Sequence, residues 1–327
     1  MKYRILGKTG FKISEVSLGT WQLGGRWGEK FNPAIAEEIL SNAVENGINF
    51  FDTADVYNDG NSEIAIGKFL KKTGTRIYVA TKCGRKLNPH LSEGYNRKNI
   101  TKFIDESISR IQVDAIDLIQ LHCPPLEVYH RQEVFELLED LKKSGKILHY
   151  GVSVEKVEEA LKAIEYPGTA SVQIIYNMFR LKPGEIFFKE AAKKNVGIIV
   201  RVPLASGLLT GKLKSDSAFK NGDHRNFNRE GEFFDKGETF SGVPYEAGIT
   251  AVEELKKVFG EEELTKYAIR WILDNQDISC VIPGMSSRDQ VLANIEASEM
   301  TALSASQMDS VKSVYDKYIR GHVHHLW

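Results

Sequence analysis

Eight times along the chain a short run rich in Ile and Val is followed by a longer segment whose apolar residues fall on one helical face. The runs lack the in–out alternation of a half-exposed sheet, as strands covered on both faces do. They lie at 16–18, 49–52, 78–81, 117–121, 147–152, 171–175, 197–201 and 280–282. Helices are read at 33–46, 62–72, 97–110, 132–144, 156–164, 185–194, 261–275 and 288–297, with a further amphipathic stretch at 304–318. Ser62 suits an N-cap, and Gly47, Gly145 and Gly197 stand where left-handed caps are wanted. Residues 3–6 and 11–14, around Lys8-Thr9-Gly10, read as a hairpin. The pattern predicts one (β/α)8 TIM-barrel domain over 1–327, with an N-terminal hairpin at 1–15, a long loop after strand seven at 205–249, and an extra C-terminal helix and tail at 304–327. A doubly wound sheet would want a Gly-rich turn after an early strand, and no GxGxxG occurs.

Composition excludes several classes. At 42% hydrophobic and 27% charged residues the chain is not disordered, and 27 Gly with 9 Pro is not collagen-like. Lys and Arg total 43 against 44 Asp and Glu, so no basic excess points to nucleic acid or an anionic membrane. Cys83, Cys123 and Cys280 are far apart with no CxxC pair, which favours a reducing compartment over a disulfide framework. The N-terminal stretch has no apolar run of signal-peptide length, and the apolar run at 197–205 contains an Arg and is too short to span a bilayer. A cytoplasmic protein is expected.

In such a barrel, chemistry collects at the C-terminal strand ends. The second strand ends FFDTADVY, delivering Asp52 and, in the following loop, Tyr57. The third ends VATK, giving Lys82, and the fourth LIQLH, giving His122. Taken singly, the Asp reads as a turn cap, the Lys as a solvated charge and the His as a structural group. On three consecutive strands, each behind apolar residues, they read as one site. A desolvated Lys is costly alone, and Asp52 is its obvious partner.

The segments GTWQLGG, FFDTADVY, VATKCG, LIQLHCP, RVPLASGLLTGK and IPGMSSRDQVLANIEA, in this order from Leu6 to about Ala297, resemble the aldo-keto reductase superfamily. The resemblance implies a barrel plugged at its base by the hairpin, with NADPH lying extended across the strand C-terminal ends. It implies reduction of aldehydes or activated ketones to alcohols by the pro-R hydride of the nicotinamide. Tyr57 is then the proton donor, Lys82 lowers the phenol's pKa and is held by Asp52, and His122 hydrogen-bonds the carbonyl oxygen.

By the same resemblance, Thr20 and Trp21 touch cofactor and substrate, and Ser153 and Gln173 hold the carboxamide. Val154 stands where relatives have Asn. Arg201 takes the place of an aromatic ring beneath the nicotinamide, with a rim salt bridge as its plain alternative. Pro203, Leu204, Ser206, Gly207, Leu208, Gly211 and Lys212 lie along the pyrophosphate. Gly284, Ser286 and Arg288 suit the 2′-phosphate of NADPH at a helix N-terminus. Gln290 and Asn294 lie on the adenine side, where Ala293 replaces a common acid. Trp21, Tyr57 and His122 are expected to line the substrate pocket, together with Trp27 and Tyr95 on other rim loops, for which loop packing is the plain alternative. His322, His324 and His325 read as part of a mobile tail, not a metal site, and no metal is expected. Two other readings are weaker. A cofactor-sensing subunit resembling channel β-subunits would carry extra N-terminal residues, whereas this chain begins at its hairpin. A hydrolase would want a second rim acid.

Overall fold

The computed structural model describes residues 1–25, 29–261 and 263–327; Trp27 lies outside them. A hairpin of β1 (Tyr3–Ile5) and β2 (Lys12–Ser14) precedes eight parallel strands: β3 (Leu18–Gly19), β4 (Phe50–Asp52), β5 (Tyr78–Cys83), β6 (Ile116–His122), β7 (Ile147–Ser153), β8 (Thr169–Ile175), β9 (Gly197–Arg201) and β10 (Cys280–Val281). They neighbour one another in sequence order. Bridges from Val16 to Val281 and from Gly19 to Gly284 join the first to the last and close the barrel.

The period of two along each strand decides what meets inside. Phe50, Ala80, Leu118, Ile199 and Cys280 form an interior core with Leu6 and Ile13 of the hairpin, which therefore plugs the base. Phe51, Val79, Ile119 and Val200 point the other way, into the larger core beneath the helices. Two residues further along the same inward phase come Asp52, Lys82, Gln120 and Arg201, and Gln173 and His122 follow likewise. A polar upper layer thus sits on an apolar lower one. Register pairs Lys82 with Gln120, His122 with Ser153 and Ser153 with Gln173 across neighbouring strands.

Local signals set most helix ends. Asn32 accepts from the Ala34 and Ile35 amides and caps Pro33–Glu45. Gly47 (φ +89°) and Gly145 (φ +77°) are left-handed caps, as the sequence predicted. Gly197 is not. It opens β9 with its Cα against Leu6 and Gly7, where a Cβ would meet Leu6 Cδ1 at 2.6 Å, and Asn195 (φ +52°) makes the turn instead. Ser62 is not an N-cap either: helix Asn61–Leu70 starts after left-handed Gly60, and the Ser62 hydroxyl faces inward to Thr20 and Thr53.

Two expectations about the C-terminal third need correction. The 205–249 segment is not irregular throughout, because helix Tyr245–Phe259 begins inside it and buries Ala251, Val252, Leu255 and Phe259. The tail is docked, not mobile: Trp327 is 5% exposed, lies 3.8 Å from the Arg180 guanidinium and donates its indole N–H to Asp235 at 2.9 Å. His324 Nδ1 pairs with the Tyr315 hydroxyl at 2.9 Å. No described helix is long and apolar enough to cross a membrane.

Candidate functional site

At the centre of the polar layer the fully buried Lys82 ammonium uses all three protons. It donates to Asp52 Oδ2 at 2.5 Å, to the Thr53 carbonyl at 2.9 Å and to the Tyr57 hydroxyl at 3.2 Å. Asp52 also accepts from Gln173 Nε2 at 2.7 Å and Gln120 Nε2 at 3.3 Å. The Tyr57 ring meets the His122 ring edge-on with centroids 6.1 Å apart. Tyr57 is fixed from both sides of the chain: its N–H bonds the Ala54 carbonyl, and the next two residues, Asn58 and Asp59, adopt the left-handed conformation their side chains tolerate. Asn58 then donates to the Leu23 carbonyl at 3.1 Å.

Electrostatics assign protonation states. Burial alone would pull Lys82 down, but Asp52, then Tyr57, carry it above the ordinary lysine value. Burial drives His122 well below the usual imidazole range, with the charges of Arg85, Lys82 and Arg201 adding to the effect, so the ring is neutral at pH 7. The expectation that Lys82 lowers the Tyr57 pKa is reversed in the net. Burial pushes the phenol up by more than the ammonium pulls it down, and Asp52 pushes it further up. Tyr57 is therefore a protonated phenol beside a permanent cation.

These groups floor a cavity of about 610 Å³ that runs along the rim to Gly284, Ser286 and Gln290. Of the residues singled out from the sequence, Thr20, Trp21, Asp52, Tyr57, His122, Gln173, Arg201, Pro203, Leu204, Ser206, Gly207, Gly284, Ser286 and Gln290 line it. Lys82 and Ser153 lie just behind the wall. Leu208, Gly211, Lys212, Arg288 and Asn294 sit outside it; Arg288 is the exposed first residue of helix Arg288–Glu299, while Asn294 is buried within that helix. Tyr95 does not line the cavity: it is fully buried against Gly84, with its hydroxyl on His90 Nε2 at 2.8 Å.

Arg201 makes the rim salt bridge while still lining the cavity. Its Nη2 donates to Glu155 Oε2 at 2.7 Å and the Val154 carbonyl at 3.1 Å, while its Nε is buried without a hydrogen-bond partner among the described residues. Ser206 also serves the protein's own loop, donating to the Glu238 carbonyl and accepting from the Phe240 amide, each at 3.0 Å.

Sequence reading missed a second charged cluster. Arg85 pairs with Glu238 and, at 3.2 Å, with Glu155, and Arg201 lies 3.8 Å from Glu238. Burial would raise both acids. Glu155 is indeed pushed up, Glu238 adding to the effect against the pull of Arg201, whereas Arg85 and Arg201 together hold Glu238 well down. Arg85 and Glu155 each follow a strand-end residue by two or three positions, so a slightly wider scan of strand ends finds them. Nothing local marks Glu238, which reaches the rim from the long loop. Arg225, also on that loop, lines the cavity beside Gly207 and is paired with Asp223 at 2.6 Å.

Comparison with known proteins agrees with this architecture. The chain is 30% identical over 317 residues to the aldo-keto reductase YhdN of Bacillus subtilis, covering 94% of this chain and 92% of that one. It is 29% identical over 325 residues to a probable voltage-gated potassium channel subunit beta of Arabidopsis thaliana, covering 93% of each. Among solved structures, the holo form of the aldo-keto reductase AKR11C1 from Bacillus halodurans superposes with a TM-score of 0.77 at 28% identity, over 96% of both chains. The glycerol dehydrogenase AKR11B4 from Gluconobacter oxydans does so with a TM-score of 0.77 at 25% identity, over 97% of this chain and 96% of that one. The model of the aldo/keto reductase family matches residues 15–316, and with that match spanning the whole barrel and its rim, the chain belongs to the aldo/keto reductase family.

Proposed function

We propose that this protein reduces aldehydes or activated ketones to alcohols with NADPH, Tyr57 delivering the proton. The observation that carries the reading is the Tyr57–Lys82–Asp52 chain at 3.2 and 2.5 Å, set beside a neutral His122 on the cavity floor. A neutral imidazole keeps its proton and serves as a hydrogen-bond donor. The phenol is then the acid. As its O–H bond breaks, the charge left on oxygen falls 3.2 Å from an ammonium that is already oriented and needs no reorganisation. His122 fixes the carbonyl oxygen near that proton, and the rings of Trp21, Tyr57 and Phe234 line the same cavity.

The residues present fit a nicotinamide dinucleotide. The cavity reaches from Tyr57 and His122 to Ser286 and Gln290, Arg201 keeps a buried N–H in reserve beside it, and its wall at Val202, Ser206 and Gly207 is left-handed backbone, as in loops that present amides to anions. Gln173, Ser153 and Arg201 would hold the nicotinamide end. Ser206, Gly207 and Arg225 would hold the pyrophosphate, and Ser286, Arg288 and Gln290 the adenosine phosphate. When bound, the cofactor supplies the hydride. NADPH is favoured because no acid stands from Gly284 to Ser287 to take a ribose hydroxyl, and Arg288 with the helix N-terminus suits an extra phosphate.

The test is consumption of NADPH with a panel of small aldehydes, using cofactor deuterated at the pro-R position. The reading expects the label in the alcohol; no turnover with any aldehyde or dicarbonyl would overturn it. The likeness to a probable channel subunit favours a second reading, a cofactor-sensing partner protein on the same fold. That reading expects tight NADPH binding without turnover.

A further inference from the structure

Resting on the reductase reading, we propose that Arg85 is the substrate-specificity residue, and that it selects carbonyl compounds carrying a second, uncharged oxygen on the neighbouring carbon, such as 2-hydroxyaldehydes and 1,2-dicarbonyls. Arg85 lines the same cavity as Tyr57 and His122, and its side chain is 22% exposed. Only one edge of its guanidinium is used. Nη2 donates to Glu155 and Glu238, while Nε and Nη1 have no partner among the described residues. A planar cation anchored at one edge, with donors left over in the cavity that Tyr57 and His122 also line, is a pre-organised site for an oxygen.

The charge balance favours a neutral oxygen over a carboxylate. Arg85 is already paired with Glu238, the acid that Arg85 and Arg201 hold ionised, so an added anion would meet that carboxylate's charge and a neutral oxygen would not. Position supports the assignment as well, since Arg85 is the charged group that His122 feels most strongly. Part of the same cavity's lining is aromatic: the Trp21 and Tyr57 ring centroids lie 6.5 Å apart, and Phe234 and His224 pack on Trp21. A substrate carbon chain can rest there while its second oxygen points to Arg85.

The experiment measures kcat/KM for glyceraldehyde and for propanal, which differ by the hydroxyls. A hydrogen bond to a charged group corresponds to roughly a 10- to 150-fold preference, so the wild type should prefer glyceraldehyde by that factor. Arg85→Met should abolish most of this ratio. Arg85→Lys keeps a cation for Glu155 and Glu238, protecting the fold, and should still lower the ratio because the fork is lost. The same comparison by ligand-observed NMR, propane-1,2-diol against propan-1-ol, reads recognition without turnover. A ratio unchanged in both variants overturns the role of Arg85, as does a wild type preferring propanal or the anionic glyoxylate. A wild type that reduces none of these compounds overturns the reductase reading, and this inference with it.

Discussion

Replacing Lys82 by Met removes a buried cation with little change in side-chain volume. At 3.2 Å, and with an effective dielectric of about 20, an ammonium and a phenolate attract by about 5 kcal/mol. That equals roughly four pKa units on Tyr57. Burial already holds the phenol above its ordinary value. Without Lys82 the charge left on Tyr57 in the transition state is unsupported, and Asp52 repels it. Turnover of aldehyde should fall by about 10²–10⁴-fold, the span of a lost general acid. Asp52 keeps Gln120 and Gln173 as donors but loses its counter-ion, so stability should also drop by about 3–5 kcal/mol. The assay is kcat against pH at a temperature below the variant's own melting transition, followed by circular dichroism. A folded Lys82→Met enzyme with kcat within threefold of wild type would refute the reasoning.

Asp55, whose amide bonds the Lys82 carbonyl, offers a test read by stability and not by turnover. It is fully buried, neither carboxyl oxygen has a hydrogen-bond partner among the described residues, and burial with the charge of Glu63 pushes it up to about 7. The unfolded chain loses that proton near pH 4, so between about pH 4 and 7 the folded state binds the extra proton and stability falls as pH rises. Asp55→Asn should flatten this slope and be more stable than wild type at pH 8, by up to about 4 kcal/mol; urea unfolding at pH 5 and pH 8 checks it, and an unchanged slope would count against it. Arg288→Ala should weaken NADPH by roughly 10- to 150-fold while leaving NADH nearly unchanged, from a charge-assisted contact of about 1.5–3 kcal/mol. Titration of both cofactors by fluorescence decides it, and equal loss for the two would make Arg288 structural.

The barrel was legible because its strands are buried on both faces: short apolar runs ending in a single polar residue mark both the strand and the rim. That is why Asp52, Lys82 and His122 could be read as one group, and why β9 falls on residues 197–201 in sequence and structure alike. Parts that depend on distant segments meeting were not legible. Glu238 reaches Arg85 across the barrel mouth, Trp327 docks on Arg180 and Asp235, and Tyr95 turns inward onto Gly84. The direction of the Tyr57 shift was missed for a related reason. The Lys82 charge is visible in sequence, but the depth of burial opposing it is a property of the assembled rim.

Tyr57 as the proton donor is tested most directly by Tyr57→Phe, because the ring stays and only the O–H goes. NADPH binding, followed by fluorescence titration, should remain near wild type, while kcat for aldehyde reduction falls by about 10²–10⁴-fold. Near-wild-type kcat in a variant that binds NADPH normally would contradict it.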